Sequence, residues 1–106
     1  MPWLFLLSYF LGGAFLMNAV PHVTSGALGK RFQSPFAKPP GEGHSSSTVN
    51  FVWGFINLVV GYALVCRVGD FNLRDTRDVV ALGLGLLACG LFSARHFGRF
   101  NGGNMA

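Results

Sequence analysis

Uncharged, mainly apolar residues run unbroken over positions 2–20, 49–66 and 79–94 of the 106-residue chain. Each run approaches the roughly 20 residues a helix needs to cross a hydrocarbon core about 30 Å thick. The pattern predicts an all-α integral membrane protein with three transmembrane helices, built as a single membrane domain. The helices are expected over about residues 2–21, 48–67 and 76–97. A long Pro/Gly-rich loop at about 22–47 joins helices 1 and 2, a shorter one at 68–75 joins helices 2 and 3, and 98–106 forms a tail.

Local signals agree with these boundaries. The hydroxyl run Ser45 to Thr48 offers N-caps for the second helix. Asp75 and Asp78 place carboxylates where the dipole of the third helix favours them. Pro2 is tolerated in a first helical turn, and Pro21 is expected to end or kink the first helix. No Lys or Arg precedes the first run, and "NAV" before Pro21 is a poor cleavage site, so the run is expected to be retained as a helix.

Composition strengthens the membrane reading. Charged residues make up 11% of the chain, against about one quarter in a soluble domain. The net charge of +4 is scattered around the apolar runs, which excludes a nucleic-acid footprint and fits lipid headgroups. Lys30, Arg31, Lys38, Arg95 and Arg99 fall on one membrane face, and Arg67, Arg74 and Arg77 on the other. The positive-inside rule then places the long loop and C-terminus in the cytoplasm and the N-terminus outside, as in a bacterial-type inner membrane. Cys66 and Cys89 lie at different depths of neighbouring antiparallel helices, which disfavours a disulfide, and no metal-binding spacing occurs.

Polar groups at membrane depth are costly and therefore informative. Asn18, His22, Asn50, Arg95 and His96 fall at the face covered by the long loop, which carries His44. Asn57 lies seven residues deeper than Asn50, and Trp53 stands between them. These residues form a candidate pocket for a lipid, quinone or other small amphiphile. His22 and His96 could also ligate a haem, or, with His44, a metal ion, although no carboxylate accompanies them. Phe32 and Phe36 flank Pro35 within the loop and suit either an ordered lid or a linker with interfacial anchors.

Asn50, Gly54, Asn57 and Gly61 share one stripe of helix 2. Helix 3 has a similar stripe in Gly83, Leu87, Gly90 and Ala94, with Gly85 and Cys89 as a further small pair. Small residues let membrane helices approach closely. Together with the lack of a catalytic constellation, these stripes favour a non-enzymatic protein acting by helix–helix association. Such a protein is expected to serve as an accessory or assembly subunit of a larger membrane complex or as a homo-oligomer. The pocket, with or without enzymatic consequence, is the alternative. No intramembrane carboxylate is present to support proton-coupled exchange. Residues 26–30 lack the spacing of a phosphate-binding loop.

Overall fold

The computed structural model describes residues 2–105. Three helices, α1 (Pro2–Ala27), α2 (Ser47–Cys66) and α3 (Thr76–Asn101), account for most of the chain. Two short strands, β1 (Phe32–Gln33) and β2 (His44–Ser45), lie between α1 and α2. The helices are long and apolar enough to cross a membrane, with mean hydropathies of 1.7, 1.8 and 1.6.

Burial is inverted relative to a water-soluble domain. Most of the buried large side chains are polar: His22, Gln33, Asn50 and Asn57, beside Tyr9. Large apolar residues such as Phe55, Leu84, Leu87 and Leu91 cover the outside. Soluble monomers rarely expose so continuous an apolar surface. The arrangement points to a membrane location.

Helix α1 is the hub. It packs against both α2 and α3, which make next to no contact with each other. Glycines permit the two approaches. A Cβ on Gly54 would stand 2.7 Å from the Val23 backbone nitrogen, and one on Gly61 would stand 2.7 Å from the Leu16 side chain. On the other side, a Cβ on Gly85 would run into the Phe10 carbonyl, and one on Gly13 into that of Leu82.

Pro21 does not end α1. The helix continues through it to Ala27, six residues past the expected boundary. Proline removes one backbone hydrogen bond, but the turns beyond it are held by packing. His22 is buried, Val23 lies against Gly54, and Gly26 meets the Ser47 carbonyl at the start of α2. The C-terminal end of α3 likewise extends past residue 97, to Asn101, where Gly102 adopts φ 80°. Glycine suits that left-handed position after a helix.

The segment between α1 and α2 folds over the helix ends. β1 pairs antiparallel with β2, Phe32 opposite Ser45 and Gln33 opposite His44. Gln33 and Ser34 are 1% exposed, so this cover has an interior of its own. Ser46 caps α2 by accepting from the Val49 amide at 3.2 Å. At the far end of the bundle, Asp75 caps α3 and Ser8 Oγ donates to the Leu64 carbonyl at 2.6 Å.

Candidate binding site beneath the loop

Two buried polar pairs join α1 to α2. The upper one is His22 with Asn50, Nδ1 to Oδ1 at 2.7 Å. The lower one is Asn18 with Asn57, Nδ2 to Oδ1 at 3.0 Å. Two histidine-to-asparagine or asparagine-to-asparagine contacts leave donor and acceptor roles ambiguous in themselves. Backbone carbonyls resolve them here, because a carbonyl can only accept.

Asn50 Nδ2 faces three such carbonyls, those of Phe32 at 3.0 Å and of Ser45 and Ser46 at 3.2 Å. Its amide nitrogen must therefore point to the loop and its Oδ1 to His22. His22 Nδ1 consequently carries the proton and donates. A neutral His22 is then left with Nε2 as a bare acceptor, and no partner meets that nitrogen among the described residues.

The lower pair is oriented in the same way. Asn57 Nδ2 donates to the Trp53 carbonyl at 2.8 Å, so Asn57 Oδ1 accepts from Asn18 Nδ2. Asn18 Oδ1 is left over as an acceptor. Helix α3 adds a third case: His96 Nε2 donates to the Gly41 carbonyl at 2.8 Å and ties α3 to the loop. A second tie runs from Asn101 Nδ2 to Gln33 Oε1 at 3.3 Å.

Several of these groups line an open pocket of about 410 Å³. Asn18 and His22 of α1, Trp53 of α2, and Phe92, His96 and Phe97 of α3 form its walls. Ser34, Pro35, Pro40 and Gly41 of the loop roof it. Aromatic edges pack around His22, with Phe32 at 5.7 Å, Phe97 at 6.0 Å and Trp53 at 6.5 Å between ring centroids. Trp53 Nε1 is the one buried side-chain nitrogen or oxygen among the described residues without a hydrogen-bond partner. A second, deeper cavity of about 220 Å³ shares Asn18 and Trp53 with the first and is otherwise lined by Ala14, Phe15, Asn57 and Cys89.

Of the residues singled out from sequence, Asn18, His22, Trp53 and His96 meet at the first cavity. Asn57 lines the second. Asn50 lies behind His22, 0% exposed, and acts through it. Arg95 does not join them: its side chain is exposed and lies outside both cavities. His44 is exposed too, its Nε2 at 3.1 Å from Gln33 Nε2. Among the described residues, no three His, Cys, Asp or Glu side chains gather to hold a metal ion.

The small-residue stripes divide. Gly54, Gly61 and Gly85 are taken up by α1 within the chain, and Gly90 rests on Met17. Gly83 has open space around it. Both cysteines are free. Sequence reasoning passed over Ser34, Pro40, Gly41 and the α3 aromatics Phe92 and Phe97. The available signal was the spacing of Phe92, His96 and Phe97, which places three flat rings near one face of a helix.

No known protein family, curated protein or solved structure matches the chain.

Proposed function

We propose that this protein binds a small neutral amphiphile in the cavity beneath the loop. The carrying observation is the buried, unpartnered N–H of Trp53, a residue that lines a cavity together with His22 and Asn18. A buried donor without a partner costs about 1–3 kcal/mol, and a ligand acceptor offsets that. The wall residues carry no formal carboxylate or guanidinium charge, so a neutral head suits it better than a phosphate. Aromatic walls with a few convergent polar groups are the usual make-up of small-molecule sites. Purification in mild detergent, solvent extraction and mass spectrometry test the reading. One neutral amphiphile per chain is expected in the unmodified protein and a loss of it in Trp53→Leu. Equal lipid content in both would refute the reading.

A second reading is association with another membrane subunit through α3. Only 6% of the apolar stretch of α3 is buried, against 28% for each of the other helices. Leu84, Leu87 and Leu91 lie on that open surface, and Gly83 is unobstructed. Cross-linking from Gly83→Cys in native membranes tests it: a specific adduct supports association, and labelling by lipid probes alone counts against it.

For orientation, we propose a bacterial-type inner membrane, with the N-terminus outside and the loop and C-terminus cytoplasmic. The excess of Lys and Arg on the loop side, five against three, supports this.

A further inference from the structure

We propose that the cavity selects an amphiphile whose neutral head carries a hydroxyl group, with its apolar tail running into the deeper cavity. This rests on the binding reading above and adds the chemistry of the head.

The polarity of the wall decides the head. Besides His96 Nδ1, which the bond from Nε2 to Gly41 also leaves as an acceptor, its unmatched side-chain atoms are His22 Nε2 and Asn18 Oδ1, both acceptors, and Trp53 Nε1, a donor. The two acceptor assignments do not depend on the ligand, because each is relayed from backbone carbonyls. Phe32, Ser45 and Ser46 orient Asn50, which orients His22. The carbonyl of Trp53 orients Asn57, which orients Asn18. A head bearing only carbonyl or ether oxygens satisfies Trp53 and leaves both acceptors unmet. An alcohol or phenol satisfies both kinds at once, since its oxygen accepts while its hydrogen donates. A site built to hydrogen-bond a hydroxyl discriminates against the analogue lacking it, because the protein's own polar groups are then stranded.

The tail follows from the second cavity. It shares Asn18 and Trp53 with the first and lies beside Ala14, Phe15 and Cys89. Asn18 pairs with Asn57, whose depth along α2 puts this cavity further from the loop. Head toward the loop and tail toward the bilayer interior is the order an amphiphile adopts in any case.

The probes are para-nonylphenol, its methyl ether and para-cresol, each titrated into detergent-solubilised protein carrying Trp3→Phe, so that Trp53 fluorescence alone is read. The phenol is expected to bind about tenfold tighter than the ether, the difference one neutral hydrogen bond supports. In protein labelled with ¹⁵N-histidine, the His22 Nε2 resonance should be that of an unprotonated nitrogen and should shift with the phenol only. Cys89→Phe should weaken para-nonylphenol more than para-cresol. Equal affinity for phenol and ether would overturn the hydroxyl selection while leaving binding intact. Failure of all three probes to bind would overturn the binding reading with it. A His22 ring protonated at Nε2 in the free protein would overturn the selection without any variant.

Discussion

Asn50 Oδ1 lies 2.7 Å from His22 Nδ1, and that contact couples the loop to the cavity wall. Asn50 reads the loop through three carbonyls and presents the result to His22 as a single acceptor. The first turn of α2, the end of α1 and the β-paired segment are joined at one side chain.

Asn50→Ala should therefore loosen the loop more than the helices. It strands the His22 N–H and removes the shared donor of Phe32, Ser45 and Ser46. A loss of about 3 kcal/mol is expected for a buried group of this connectivity. Trypsin cleavage at Lys30 and Arg31, followed in micelles, should accelerate at least about tenfold, while helical content by circular dichroism stays near its original value.

Trp53→Phe separates stability from binding. The substitution removes a buried donor that has no partner and keeps most of the ring. Thermal unfolding of ligand-stripped protein should show it unchanged or more stable by up to about 1 kcal/mol. Retention of the co-purifying amphiphile should fall. A marked destabilisation would show that the N–H is satisfied in the native protein.

Asn18 and Asn57 should be coupled. Asn57→Leu alone leaves the Asn18 amide facing an apolar group and should cost about 1–3 kcal/mol. Adding Asn18→Leu removes the stranded partner, so the double variant should be less destabilised than the sum of the singles. A double-mutant cycle of unfolding free energies measures the difference.

Gly85 and Gly83 lie two residues apart and should answer oppositely to alanine. A Cβ at Gly85 collides with the Phe10 carbonyl, whereas at Gly83 it meets nothing within 4 Å. Gly85→Ala should destabilise by roughly 2 kcal/mol through overpacking. Gly83→Ala should be neutral or stabilising by up to about 1 kcal/mol through helix propensity. Denaturant titration of the two variants side by side checks the contrast.

Cys66 reports orientation. It is exposed at the end of α2 remote from the loop, while Cys89 is only partly accessible and lines the deeper cavity. With the loop cytoplasmic, a membrane-impermeant maleimide added to intact cells should label Cys66 and leave a Cys66→Ser variant unlabelled. Labelling only after lysis would reverse the orientation.

Much of the helical layout was legible in sequence, because bilayer-length apolar runs have few other uses. The start of α2 was fixed by hydroxyl caps and that of α3 by Asp75. The end of α1 was not, since Pro21 carries a local signal for termination and only tertiary contacts at His22, Val23 and Gly26 override it. The meeting of His22 with Asn50 was half visible, since both fall at the loop-side level without a named partner; Asn18 reads as belonging to that same level, whereas it pairs with the deeper Asn57. Arg95 looked equivalent to His96 at the level of depth. One residue of helix is 100° of rotation, and that turns Arg95 outward. The loop's contribution was illegible, because Ser34 and Gly41 gain their positions from a strand pair two residues long, too short to leave a periodic trace.

The hub arrangement of α1 has a consequence for how damage spreads. In a bundle closed on all sides, a disturbed contact is felt by every helix. Here α2 and α3 rest on opposite flanks of α1 and barely touch. Lesions on the two flanks, at Gly61 and Gly85 for example, should simply add. The exceptions include two hydrogen-bonded clasps that reach α3 from the loop, His96 to Gly41 and Asn101 to Gln33. Through them, and through the Phe32 ring packed on Phe97 at 4.8 Å, a disturbance of α3 is transmitted to the loop and α2 without passing along α1.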